Sequence, residues 1–176
     1  MPVRGKRKGA GGKFVKWTNH VGLTGAVAYA ITGDIWRASI AATGAVVPDW
    51  IEGGKYDRKI HRTVSHWMLM YAIVLVVSTG YLIARGHNGM NVYLLFLGDV
   101  PLDTALIIAV FVQYVSIGAI MHICEDALCG KVPLLSPVKR DFGASLFRVG
   151  SATEYIITVA VMAIVAAFYL LKENYS

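Results

Sequence analysis

The stretch that decides the fold is TALIIAVFVQYVSIGAIM, at residues 104–121. It contains no charged side chain, and its length is close to the roughly 20 apolar residues that a membrane-spanning helix needs. Two further stretches have a similar length and almost no charge in their interiors: WMLMYAIVLVVSTGYLIA at 67–84 and ATEYIITVAVMAIVAAFYLL at 152–171. A chain of 176 residues that is 56% hydrophobic is too short and too apolar to enclose three such helices in polar protein. The sequence therefore predicts a membrane protein.

Two shorter apolar segments precede these three. They occupy residues 17–32 and 36–47, are rich in glycine and alanine, and are separated by a turn at Gly33-Asp34. Two short spans are favoured over a re-entrant hairpin, which other helices would have to support. The predicted fold class is all-α: a polytopic membrane helix bundle of about five segments, two short and three long. Residues 17–172 form its single domain, and residues 1–16 form a basic flexible tail.

Basic residues lie mainly on one side of the predicted spans. With the N-terminus on side one, that side carries 14 of the 17 lysines and arginines, and only Arg37, Arg85 and Lys172 fall on side two. By the positive-inside rule, side one is cytoplasmic. The +6 net charge then reflects topology rather than an acidic partner. The basic tail lacks interleaved aromatic residues, so a nucleic-acid partner is not expected.

Histidines and acids cluster at the side-one ends of the apolar segments. On a helix, His122 and Asp126 are four positions apart and share a face. Glu125 points about 100° away from Asp126 and is the weaker candidate. Each residue also has an ordinary structural interpretation, such as a capping acid or a core histidine. The predicted metal ligands are His20, Asp49, His61, His66, His122 and Asp126.

Imidazoles and carboxylates are typical ligands of a divalent metal, and zinc fits this set best. One ion needs three or four of these ligands, and two ions could use all of them. Arg62 lies four positions before His66 and could hold an anionic oxygen with its guanidinium group. Its alternative role is a topology charge that reaches the lipid headgroups. Glu52 is predicted to accept a proton in catalysis if it is not itself a ligand.

Several stretches together resemble the YdjM-type family of bacterial inner-membrane proteins, which are regarded as metal-dependent hydrolases. The resemblance runs from His20 through Pro48-Asp49 and the HRTVSH stretch at 61–66 to the HICED stretch at 122–126. GKVPLLSP at 130–137 continues it. Ile51 and Glu52 depart from the family pattern, which has a second Asp and a His there; Glu52 can replace one ligand, and Ile51 cannot.

The sequence and the resemblance together imply a hydrolase of the bacterial inner membrane, with its site near the cytoplasmic headgroups. A site at that depth suggests membrane lipid as partner and a phosphoester or lipid-linked compound as substrate. The main alternative is a non-catalytic membrane protein that a metal holds together, or an interaction partner at the membrane face. A transporter is less favoured, because the middles of the long spans carry no acids or histidines.

Overall fold

A computed structural model describes residues 12–52, 64–86, 103–147 and 151–174, with side chains described from 17 and up to 171. The helices are α1 (Gly12–Thr32), α2 (Ile35–Gly44), α3 (Val47–Ile51), α4 (Met68–Ala84), α5 (Thr104–Cys129) and α6 (Ala152–Asn174), and a 3₁₀ turn spans Val64–His66. Within these ranges the only β pairing is an isolated bridge between Val132 and Phe142. The predicted all-α fold class is confirmed.

The first two helices form a hairpin that leaves the site end of the bundle and returns to it. Gly33 makes the turn with a φ of 64°, and Asp34 caps α2 by accepting hydrogen bonds from the backbone N–H groups of Trp36 and Arg37. α1 begins at Gly12, so it includes the end of the predicted flexible tail. The second predicted segment ends earlier than expected, at Gly44, and Pro48 sits in the first turn of the separate helix α3.

Helix α5 is the centre of the packing. α2 and α4 both pack on it, α1 packs on α2, and α6 packs on α1. At one crossing the backbones of α2 and α5 touch, because Gly44 lies against Val115 and Gly118 lies against Ala41. At the opposite end from the candidate site, Arg85 binds Asp103 at 2.7 Å and links the ends of α4 and α5.

The outer surface of the bundle is apolar. Val76, Ile108, Val159 and Ile164 are each more than half exposed. Two helices, Thr104–Cys129 and the Ala152–Leu171 part of α6, are long and apolar enough to cross a membrane, with hydropathies of 2.1 and 2.2. α4 is shorter at 17 residues. Large exposed apolar faces of this kind are rare on soluble proteins and normal where a protein meets lipid.

Candidate metal centre

Four parts of the chain bring histidines and acids together at one end of the bundle. Asp49 lies on α3, His66 on the 3₁₀ turn, and His122 and Asp126 lie one turn apart on α5. The hydroxyl of Tyr71 donates a 2.9 Å hydrogen bond to the carbonyl of Ser65 and holds the 3₁₀ turn in place. The side chains of His66, His122 and Asp126 are at most 5% exposed, whereas that of Asp49 is 17% exposed. These residues form a buried polar centre with one more open side.

The facing atoms of this group have the spacing of metal ligands. Nε2 of His66 lies 3.2 Å from Nε2 of His122, 3.5 Å from Oδ1 of Asp49 and 3.4 Å from Oδ2 of Asp126. Nε2 of His122 lies 3.8 Å from the same Asp49 oxygen and 3.9 Å from the same Asp126 oxygen. Zinc ligands at about 2.0–2.1 Å in a tetrahedron are separated by about 3.3 Å. The five distances run from 3.2 to 3.9 Å, so three lie within about 0.2 Å of that value and two are longer.

His122 is shared between two overlapping sets of potential ligands. Asp49, His66 and His122 form one set, and His20, His122 and Asp126 form the other, each with its ligand atoms within 4.8 Å of one another. The rings of His20 and His122 are 4.1 Å apart between centroids. Among the residues that the structure describes, Nδ1 of His122 is buried without a hydrogen-bond partner. This nitrogen is not Nε2, which faces His66, Asp49 and Asp126, so its missing partner concerns the other side of the ring.

Glu52 contacts the far side of the His66 ring. Its Oε1 lies 3.1 Å from Nδ1 of His66 and accepts a 2.5 Å hydrogen bond from the hydroxyl of Ser65. A carboxylate on one ring nitrogen of a histidine leaves the other nitrogen directed at the metal, as in many zinc sites. Here that other nitrogen is Nε2, which faces His122.

The surroundings of His66 strongly favour positive charge. Burial lowers the pKa of His66, but its hydrogen bonds with Asp126, Asp49 and Glu52 outweigh burial and raise that pKa to about 10. The three carboxylates hold a proton on the ring because they stabilise a cation there. The same negative charge would stabilise a metal cation, whose binding requires the ring to lose that proton.

Asp49 is held from outside the centre. Its Oδ2 accepts a 3.0 Å hydrogen bond from the indole N–H of Trp17, while its Oδ1 faces His66. Burial raises the pKa of Asp49, but the hydrogen bond with His66 and the nearby charges of His122 and His66 outweigh it, so the pKa is lowered overall. Asp49 is therefore ionised, and one oxygen is turned inward.

Comparison with known proteins identifies the family. Residues 15–175 match the model of the YdjM inner membrane protein family. The chain belongs to this family. No curated protein and no solved structure matched the chain. The family assignment confirms the resemblance found in the sequence, and with the two long apolar helices it identifies an inner membrane protein.

In this YdjM family member, the structure gathers most of the residues predicted for the site. Asp49, His66, His122 and Asp126 face one another, and His20 lies beside His122. Two predicted residues, His61 and Arg62, lie outside the described residues. Glu52, predicted as catalytic, contacts His66 and Ser65, which supports a positioning role in addition.

Glu125, the weaker ligand candidate, belongs to neither potential ligand set among the described residues but contacts a member of one of them. Its Oε2 lies 2.5 Å from Nδ1 of His20, and its Oε1 accepts from the hydroxyl of Thr24 at 3.5 Å. The side of α5 that carries Glu125 faces α1, which supplies both partners. Because Glu125 and Asp126 point in different directions from α5, they have different partners. Asp126 faces His66 and His122, and Glu125 faces α1. Trp17 and Ser65 were not predicted as site residues, because neither is a usual metal ligand and their hydrogen bonds to Asp49 and Glu52 join separate parts of the sequence.

Replacing Glu52 by glutamine should weaken metal binding without abolishing it. The substitution keeps the shape but removes the negative charge beside Nδ1 of His66, and loss of such a partner costs roughly 10- to 100-fold in metal affinity. Competition of purified protein with a zinc-binding dye would measure this. Glu154→Gln is the matched control, because Glu154 is also a buried glutamate but lies on α6, which carries none of the four facing residues, and accepts a hydrogen bond from Asn19. Equal affinity in Glu52→Gln and the original protein would show that Glu52 does not position His66.

Proposed function

We propose that this inner membrane protein is a metal-dependent hydrolase that binds a divalent cation, zinc by ligand type, through Asp49, His66, His122 and Asp126. The observation that carries the proposal is the set of 3.2–3.9 Å separations between their facing atoms. Two neutral imidazoles and two carboxylates would balance the charge of a divalent ion, so the buried site would carry no net charge. His20 and the predicted ligand His61 would complete a second position if two ions bind.

The chain's own residues prepare the site for hydrolysis. A bound cation would supply Lewis acidity, which activates water at neutral pH and stabilises charge on a substrate oxygen. Glu52 fixes the ring of His66, and Trp17 fixes the outer oxygen of Asp49. Because Asp49 is the most exposed of the four, a substrate would approach past it. That opening favours catalysis over a fully closed structural site.

The position of the centre supports a substrate at the membrane surface. His122 and Asp126 lie in the last two turns of α5, and Asp49 follows α2 as the chain returns to the same end. We therefore favour a lipid-linked or other phosphoester substrate whose phosphate lies near the headgroups. Arg62, four residues before His66, is the predicted partner of the phosphoryl oxygens.

The hydrolase proposal predicts different effects on metal content and on turnover. Purified protein should contain zinc, and hydrolysis in a screen of phosphorylated and lipid-linked esters should stop with EDTA and return with zinc. Arg62→Ala should keep its metal but lose roughly 100- to 1,000-fold in turnover, because a protonated guanidinium binds anions and cannot ligate a metal. Metal loss in Arg62→Ala would make this arginine a structural support instead.

A structural metal is the second candidate, and the deep burial of the centre favours it. His66 and His122 are 0% and 1% exposed, and the centre ties α3, the 3₁₀ turn and α5 together. A protein that binds zinc tightly, melts at lower temperature with EDTA and hydrolyses no ester in the screen would support this role.

The 14-to-3 distribution of basic residues supports a multi-pass orientation with the N-terminus and the metal centre on the cytoplasmic side. Cysteines introduced at positions 59 and 88 can be tested with a membrane-impermeant label. We expect labelling from the periplasm at position 88 and not at position 59. Periplasmic labelling at 59 would reverse this orientation.

A further inference from the structure

The segment between α5 and α6 is irregular but firmly tied to the helix ends. Residues 130–147, here called the strap, contain the Val132–Phe142 bridge. The carbonyl of Pro133 accepts a 3.2 Å hydrogen bond from the N–H of Met68, the first residue of α4. Near the other end of the strap, the N–H of Leu146 donates a 2.7 Å hydrogen bond to the carbonyl of Leu128 on α5. The strap therefore lies at the end of the bundle that carries the metal centre.

The strap has one face turned into the protein and one turned away from it. Val132 is fully buried and packs in the same cluster as Tyr71 and Ile123. The outward side chains are large and apolar, with exposed fractions of 68% for Leu135, 85% for Val138, 46% for Phe142 and 69% for Leu146. The backbone hydrogen bonds show that this exposure belongs to a fixed conformation.

Basic residues accompany these apolar side chains. Lys131, Lys139 and Arg140 are exposed, and Asp141 is the only acid in the strap, so its formal charge is 3 − 1 = +2. Apolar residues interleaved with lysine and arginine are typical of segments that lie in the headgroup region of a bilayer. The basic groups also complement the phosphates of anionic lipids.

The location of the strap identifies the membrane as its partner. α5 has 26 residues and is about 39 Å long, which exceeds the roughly 30 Å hydrocarbon thickness. Its last turns therefore reach the headgroup level, where the strap begins. At that level, the exposed apolar side chains of the strap meet lipid without any further association. Docking of a protein would have to displace that lipid.

We propose that the strap is a binding surface for anionic phospholipid in the leaflet beside the metal centre. Leu135, Val138 and Leu146 insert at the boundary between headgroups and acyl chains, while Lys139 and Arg140 bind headgroup phosphates. This surface functions whether or not the centre holds a metal. It would also concentrate phosphate-bearing lipids next to the centre.

The test uses the full chain in nanodiscs, with Cys124→Ala and Cys129→Ala removing the native thiols and Val138→Cys carrying an NBD fluorophore. Phosphatidylglycerol and phosphatidylcholine, each spin-labelled near the headgroup, are compared as quenchers at equal content. We expect blue-shifted emission and stronger quenching by phosphatidylglycerol. Lys139→Gln and Arg140→Gln should each reduce that preference by up to about fivefold. Asp141→Asn, the matched control, should keep or increase it.

Three results would overturn the proposal. A water-like emission at position 138 in the nanodisc would show that the strap does not enter the membrane, as expected if its partner were a protein. Equal quenching by the two lipids would show that the basic residues do not select anionic headgroups. A loss of preference in Asp141→Asn as large as in Lys139→Gln would mean that any substitution here disturbs the strap, which also contradicts the charge-based assignment.

Discussion

Replacing His122 by alanine should remove the metal and all metal-dependent activity together. His122 belongs to both potential ligand sets, and it is 1% exposed. Alanine offers no ligand atom, and Asp49, His66 and Asp126 would then supply one nitrogen and two carboxylates, a set that suits zinc less well than one with two imidazoles. The loss of affinity should exceed the roughly 10- to 100-fold that removal of an outer partner costs. Metal analysis of purified protein and dye competition would measure it.

The matched control for this variant is His87→Ala. His87 is the one histidine that the sequence leaves outside the predicted site. It should keep the full metal content, and both variants should show the same helicity by circular dichroism if His122 acts through ligation. A His122→Ala protein with unchanged zinc stoichiometry and affinity would refute the proposed centre.

The membrane fold could be predicted from the sequence because lipid imposes long apolar helices, which composition alone reveals. The segments at 67–84, 104–121 and 152–171 correspond to α4, α5 and α6. The end of α2 could not be predicted in the same way. The second segment looked continuous to Val47, but α2 ends at Gly44, which has no side chain and lies against the backbone of Val115. That contact depends on how two helices cross, which no local pattern encodes.

The candidate site also has one part that the sequence predicts and another that depends on how the helices pack. His122 and Asp126 share a helix face, so their partnership follows from helical periodicity. That Asp49 would approach them follows from its place at the end of a segment returning to the same membrane side. The outer contacts depend on tertiary packing. Glu125 meets His20 because α1 passes beside α5, and Trp17 meets Asp49 across 32 positions of sequence.

Replacing Gly118 by alanine should have the largest effect on stability. A Cβ atom there would lie 1.9 Å from the carbonyl oxygen of Ala41 and 2.8 Å from the backbone nitrogen of Ala45. Both are backbone atoms, so α2 and α5 would have to move apart. Overpacking in a core costs about 1–3 kcal/mol and sometimes more, and we expect at least about 3 kcal/mol here because no flexible side chain can yield. Thermal unfolding in detergent would measure the loss.

The matched control is Gly80→Ala on α4. A Cβ atom at Gly80 would meet nothing within 4 Å, so alanine should be neutral or stabilise the helix by up to about 1 kcal/mol. The consequence of Gly118→Ala should extend to the metal, because His122 lies one turn further along α5 and Asp49 follows α2 closely. Separating the two helices would move these ligands apart, so metal affinity should fall together with stability. A Gly118→Ala protein as stable as Gly80→Ala would mean that α2 and α5 do not cross at this point, and the placement of Asp49 beside His122 would then lose its support.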